Sequence, residues 1–122
     1  KFSNIKGYYE PPAKIRNRSN YCKSAYKGYE NLDFSSYVKK IKEINKKFDL
    51  IIIDGRARSS CLKECLKHLK KDGIILFDNS FRKRYQKVLK NKNINVCRLR
   101  GITPSLPYPE ETSIIKINTN LI

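Results

Sequence analysis

Two continuous apolar runs dominate the hydrophobic pattern of this chain, and each of them ends at an aspartate. Leu50–Ile53 stops at Asp54-Gly55, and Ile74–Phe77 stops at Asp78-Asn79-Ser80. Isoleucine-rich runs of this length are typical of strands buried on both faces, as in a parallel sheet. Ligands of open α/β sheets bind beyond the carboxyl ends of the strands, so the functional edge is expected to carry Asp54, Arg56, Asp78 and Asn79.

Three amphipathic segments predict helices around these strands. Asp33–Lys47 presents a core-facing apolar stripe opposite its lysines, and Asp33 or Ser35 is suited to cap its start. Arg58–Leu69 is long enough to be the helical crossover between two parallel strands. Lys70–Gly73 is expected to end this helix, because cations favour a helix C-terminus and glycine adopts the left-handed stop. Phe81–Lys90 is the third predicted helix.

The remaining segments complete one α/β domain over residues 1–122. Residues 1–12 are expected to form a short strand, Ile5–Tyr9, that the pair Pro11-Pro12 ends. Residues 13–32 form a polar, tyrosine-rich loop, which is either functional and mobile or packed onto the body through its tyrosines. Residues 33–122 form the α/β core. Its last two strands, Ile94–Leu99 and Thr112–Ile117, have no helix between them, which predicts an antiparallel final pair.

The formal net charge of +16 is large for 122 residues. Such a field attracts nucleic acid or another polyanion, although lysines spread along the whole chain are also the ordinary composition of a basic surface. Four cysteines at positions 22, 61, 65 and 97 form no CxxC pair, and Cys61 and Cys65 are expected to pack against the sheet. No apolar run approaches the length of a membrane span and no secretory signal is present, so the expected location is the cytoplasm.

At the strand ends the sequence is similar to a known family. Phe48–Ser80, followed by Arg82–Tyr85, resembles the C-terminal half of class I S-adenosylmethionine-dependent methyltransferases. It is most similar to a bacterial group with Asp-Gly-Arg-x-Arg after the fourth strand and Asp-Asn-Ser after the fifth, which match residues 54–58 and 78–80. The tail from Gly101 to Ile114 also resembles that group, and Ile5–Pro12 is a candidate for its third strand. The resemblance implies a partial Rossmann-like sheet, mostly parallel with an antiparallel last strand.

The resemblance implies S-adenosylmethionine as cofactor, yet the features that hold this cofactor in the family are absent from the sequence. Such enzymes use a glycine-rich turn after the first strand and an acidic residue after the second. The five glycines here include no G-x-G, and the first two strands have no counterpart. The chain is therefore expected to be inactive alone and to need a missing N-terminal half. The open sheet edge that results is expected to pair with a second copy in a homo-oligomer.

Candidate site residues lie in the two strand-end motifs. Asp54 and Asp78 are the candidate catalytic residues, and with Asn79 they resemble the Mg²⁺ site of catechol-type O-methyltransferases. Helix capping is the alternative role for both aspartates. The candidate substrate-binding residues are Arg56, Arg58, Asn79 and Ser80. The two arginines suit an anionic acceptor, or alternatively an ion pair with Asp54 or Asp78.

Three functions remain open at this point. The first is a methyltransferase-like half-domain that is inactive alone. The second is a basic module that binds nucleic acid or another polyanion through Arg56, Arg58 and the tyrosine-rich basic segment Lys14–Tyr29. The third is a fragment that folds but has no function. His68 lies late in the crossover helix, away from the strand ends, and is expected to be structural or solvent-facing.

Overall fold

A computed structural model describes residues 3–119 of the chain. The strands are β1 (Ala13–Lys14), β2 (Leu32–Asp33), β3 (Phe48–Ile53), β4 (Leu69–Asp78), β5 (Ile94–Ile102) and β6 (Pro109–Ile117). The helices are α1 (Ser35–Ile44), α2 (Arg58–Cys65) and α3 (Gln86–Leu89), with short 3-10 helices at Leu66–His68 and Lys83–Tyr85. Within this part of the chain, no helix is both long and apolar enough to cross a membrane.

The main sheet has the strand order β3-β4-β6-β5. β3 and β4 are parallel and are joined by the α2 crossover, with Ile51 opposite Ile75 and Ile53 opposite Phe77. β6 is antiparallel to both of its neighbours, so β5 runs in the same direction as β3 and β4. The prediction of a mostly parallel sheet with an antiparallel last strand is confirmed.

One face of this sheet holds the core. The helices pack on it, and its fully buried side chains include Phe77, Ile75 and Ile115 from the strands and Leu62 from α2. Phe77 also contacts the ring of Tyr85 edge-on, with 5.1 Å between the ring centroids. These residues alternate along β4 and β6 as the period of a strand requires.

The opposite face of the sheet has no helix over it among residues 3–119. Leu50, Ile52 and Leu99 point to this face and are 47%, 63% and 53% exposed. Between them, Ile74, Leu76 and Ile114 are half-buried. Sheets with parallel strands are ordinarily covered on both faces, so this apolar surface is the feature of the fold that most requires an explanation.

The predicted strand Ile5–Tyr9 is wrong. Residues 5–10 have no regular structure and are almost entirely exposed, because no strand edge lies beside them. The chain instead forms the antiparallel pair of β1 and β2, after which α1 begins. Asp33 accepts a hydrogen bond from the backbone N–H of Ser35 at 2.9 Å, but the N-cap position of α1 is Phe34 and no side chain caps the helix, so the predicted cap by Asp33 or Ser35 is wrong.

The glycine at the end of the crossover acts differently from the prediction. Helical structure ends at His68, and Lys70–Gly73 already belongs to β4. Gly73 has no positive φ. It is needed for space, since a Cβ atom there would lie 2.9 Å from the carbonyl oxygen of Phe48. The parallel register shifts at this point, with Leu69 opposite Phe48 but Ile74 opposite Leu50.

The cysteines are free, and two of them belong to the core as expected. Cys61 and Cys65 are buried on α2, while Cys97 is exposed on β5. Burial raises the pKa of Cys61 to about 12 and that of Cys65 to about 11. Both thiols are therefore protonated at neutral pH, which makes them poor nucleophiles.

Candidate functional site

Arg58 joins the carboxyl ends of β3 and β4. Its side chain is only 7% exposed because the turn after β3 is tight: Ala57 has a left-handed φ of 51° and α2 begins at the next residue. Nε donates to the carbonyl oxygen of Gly55 at 2.9 Å, and Nη2 donates to Oδ1 of Asp54 at 3.1 Å. Nη1 donates to the carbonyl oxygen of Asp78 at 2.6 Å and to Oδ1 of Asn79 at 2.9 Å.

The two strand-end aspartates lie close together around this guanidinium. Oδ2 of Asp78 is 3.4 Å from Nη1 of Arg58, and Oδ1 of Asp78 accepts a hydrogen bond from the Thr112 hydroxyl at 3.0 Å. Partial burial, a hydrogen bond shared with Asp78 and the charge of Asp78 together raise the pKa of Asp54, and Arg58 opposes them. Neither α2 nor the 3-10 helix after β4 has a side-chain cap, so the aspartates form hydrogen bonds but do not cap these helices.

Asn79 and Ser80 turn the chain away from β4. Asn79 has a left-handed φ of 52°, and its Nδ2 donates to Oε2 of Glu110 at 2.6 Å. Ser80 is fully buried, and its hydroxyl donates to Oε1 of Glu111 at 2.7 Å. Burial acts to raise the pKa of Glu111, but the Ser80 hydrogen bond and the nearby charge of Arg98 outweigh it and lower that pKa. Ser80 is therefore held inside the protein, away from any substrate.

The three residues suggested as Mg²⁺ ligands do converge, but on Arg58. Oδ1 of Asp54 and Oδ1 of Asn79 both accept from its guanidinium, and Oδ2 of Asp78 lies beside it. Within residues 3–119 no group of three His, Cys, Asp or Glu side chains is placed to hold a metal ion. A buried guanidinium repels a divalent cation, so these side chains do not fit a Mg²⁺ site.

Arg56 has a different environment from Arg58, although only one residue separates them. Its guanidinium stacks on the ring of Tyr26, 3.8 Å from the centroid, with Tyr29 at 5.2 Å. It forms no ion pair with a residue in the described part of the chain. The tyrosine-rich loop therefore packs onto the body of the protein, and it holds Arg56 in the lining of a cavity beside the strand ends.

Several residues of this site were not predicted from the sequence. Thr112, Glu110 and Glu111 reach it because β6 lies next to β4, with Thr112 directly opposite Asp78. The alternation of polar and apolar residues along positions 109–117 predicts a strand there. It does not predict which strand lies next to it, so the contacts with Asp78 and Asn79 could not be predicted. Tyr37 of α1 covers Gly55, where any Cβ atom would collide with the Tyr37 hydroxyl, and burial raises the pKa of this tyrosine.

Comparison with known proteins supports the fold. No family model and no curated protein matches the chain. Among solved structures, the chain is similar to the crystal structure of a "putative O-methyltransferase" from Klebsiella pneumoniae, with a TM-score of 0.52 and 15% sequence identity. The match covers 68% of this chain and 47% of that one, so the chain spans less than half of this neighbour. The chain thus has a methyltransferase-like α/β fold.

Proposed function

We propose that this chain is the acceptor-binding half of an S-adenosylmethionine-dependent methyltransferase of the bacterial group with the Asp-Gly-Arg-x-Arg and Asp-Asn-Ser motifs. The observation that carries the proposal is the strand order β3-β4-β6-β5 with an antiparallel β6, in which the parallel strands β3 and β4 end in the two motifs at one edge of the sheet. The similarity to less than half of a methyltransferase-like structure supports it. The motifs then mark the acceptor side of the site.

The residues of this chain do not fit the cofactor itself. No G-x-G turn is present, and no strand among residues 3–119 pairs with the outer edge of β3 to carry one. In the proposal, the cofactor is held by a polypeptide segment outside this sequence, added at that edge. The chain alone would then be inactive.

Asp54 and Asp78 have separate roles in this proposal. Asp54 is the more exposed of the two, with 65% of its side chain accessible, and its raised pKa suits exchange of a proton with an acceptor group. Asp78 forms hydrogen bonds with Arg58 and Thr112. Its role is to fix the carboxyl ends of the strands and to raise the pKa of Asp54. Arg56 lies beside them and contributes to acceptor binding.

Titration with S-adenosylhomocysteine tests whether the cofactor is bound by a segment outside this chain. We expect no saturable heat from the isolated chain at millimolar ligand. A polypeptide in which a glycine-rich strand-turn-helix precedes this chain, taken from the surrounding reading frame, is expected to bind at micromolar concentrations. Saturable binding by the isolated chain would contradict the assignment as a half-domain. A joined polypeptide that folds but does not bind would contradict the methyltransferase assignment.

The edge of β3 is the proposed site of completion. β3 has the unpaired outer edge and carries exposed Leu50 and Ile52. The other edge strand, β5, carries Arg98 and Arg100, and charges of this kind protect an edge against pairing. In the absence of the other half, we propose that the edge of β3 pairs with a second copy of the chain.

Light scattering over a concentration series tests this self-association. We expect the chain to form dimers or larger oligomers, and the variant Ile52→Lys to remain a monomer because it places a charge on the edge strand through which the copies pair. The matched control is Leu99→Lys, which makes the same change beside the charged β5 edge and is expected to leave the oligomer intact. A wild-type chain that is monomeric at every concentration would contradict the proposal.

A further inference from the structure

A basic cavity of about 260 Å³ opens beside the strand-end site. Three segments form it: the tyrosine-rich loop, the turn from β3 into α2, and the residues that follow β4. No aspartate or glutamate is among the described residues that line it. Six cationic side chains do line it, namely Lys23, Arg56, Arg58, Lys63, Arg82 and Arg84.

Most of this positive charge has no counter-charge within the protein. Arg58 is paired with Asp54 and Asp78, whereas the other five cations form no ion pair with any residue between positions 3 and 119. Two of these cations contact tyrosine rings. The guanidinium of Arg56 stacks on Tyr26, and that of Arg84 lies 5.1 Å from the ring centroid of Tyr85. Like charges gathered around one cavity repel each other, and a bound anion removes that cost.

The first turn of α2 adds to the same field. This helix has no side-chain cap and no acidic residue in its first turn, and its residues Ser59 and Ser60 line the cavity. Unsatisfied backbone N–H groups at a helix start carry partial positive charge and favour an anion. Seryl hydroxyls supply further donors. Cations from three segments, hydroxyl donors and an uncapped helix start therefore all meet at one cavity.

We infer that this cavity binds the phosphate group of a small phosphorylated molecule. Five uncompensated cations match an anion with more than one charge better than they match a single carboxylate, and arginine binds phosphate through two parallel hydrogen bonds. The cavity lies just below the range of about 300–1,000 Å³ for small-molecule sites, so it suits a compact ligand rather than a nucleic-acid strand. That this ligand is the methyl acceptor rests on the proposed function, while phosphate binding itself does not.

Calorimetric titration of the full chain with inorganic pyrophosphate at fixed ionic strength tests the inference. The double variant R82Q/R84Q removes two charges from the cavity, and the matched control K71Q/K116Q removes two exposed charges elsewhere on the sheet. Loss of two charge-assisted contacts is expected to weaken binding at least about tenfold in the cavity variant. The control is expected to bind within about twofold of the wild type, since distant surface charges are screened. Circular dichroism establishes that both variants are folded.

Three outcomes would overturn the inference. The first is no saturable pyrophosphate binding by the wild type. The second is equal weakening in both variants, which would assign the binding to net charge. The third is a single-stranded oligonucleotide that binds in preference to pyrophosphate and with the steep salt dependence of a polyanion. Because the titration contains no cofactor, it measures anion binding in the cavity independently of the S-adenosylhomocysteine experiment. Either proposal can therefore fail without the other.

Discussion

Replacing Arg58 with alanine is expected to lower the free energy of unfolding by about 3 kcal/mol, measured by urea denaturation near neutral pH. The buried guanidinium donates hydrogen bonds to Gly55, Asp54, Asp78 and Asn79, and it is the contact that joins the ends of β3 and β4. Removal of one partner from a buried charged network leaves the others unsatisfied. The lower end of the usual range applies because Asp54 is largely exposed to water.

The size of this loss is expected to depend on pH in a defined direction. Burial and the neighbouring Asp78 already raise the pKa of Asp54, and Arg58 opposes them, so its removal raises that pKa further. A carboxyl group whose pKa is raised in the folded state lowers stability as pH rises through that pKa, and has no such effect when both states are protonated. The deficit of R58A is therefore expected to be larger at neutral pH than near pH 4, about the ordinary pKa of aspartate.

Arg56→Ala is the matched control for this prediction. It is the same substitution two residues earlier, but it removes a guanidinium stacked on Tyr26, which contributes about 0.5–1 kcal/mol. Equal losses in the two variants would contradict the central position of Arg58. A loss in R58A that is the same at both pH values would show that packing, rather than charge compensation, is what the arginine supplies.

The different environments of Arg56 and Arg58 could not be predicted from the sequence. Both belong to the Asp-Gly-Arg-x-Arg motif, and no pattern in the sequence distinguishes their environments. The separation depends on the left-handed Ala57, which turns Arg58 back under the strand ends, and on a tyrosine loop that packs from a distant part of the chain. Arg58 thus has the predicted ion pair, whereas Arg56 remains available for an anionic ligand.

Strands were predicted where burial imposes a strong pattern. The apolar runs before Asp54 and Asp78 predicted β3 and the second half of β4, and the crossover between them required that they be parallel. Ile5–Tyr9 failed because an apolar and aromatic composition forms a strand only beside a partner edge. Lys70–Gly73 failed because cations followed by glycine also occur within a strand at a register shift. The local structure thus depended on segments distant in sequence: no strand edge lies beside Ile5–Tyr9, whereas Phe48 lies against Gly73.

Phe77→Ala is expected to lower the free energy of unfolding by about 3–5 kcal/mol, measured by urea denaturation at a protein concentration where the chain is monomeric. Phe77 is fully buried near the C-terminal end of β4 and contacts Tyr85 edge-on, so its removal leaves a cavity on the covered face of the sheet. The matched control is Leu76→Ala, one residue earlier on the open face, with an expected loss of about 1 kcal/mol because that side chain is only half-buried.

The difference between these two variants measures how one-sided the core is. Equal losses in the monomer would contradict a sheet that is covered on one face only. In a joined polypeptide that carries the proposed missing half, the cost of Leu76→Ala is expected to rise because the added segment covers the open face. The cost of Phe77→Ala is expected to stay the same, since its surroundings already exist in the isolated chain. The paired measurement therefore reports whether completion of the domain covers the open face as well as the edge of β3.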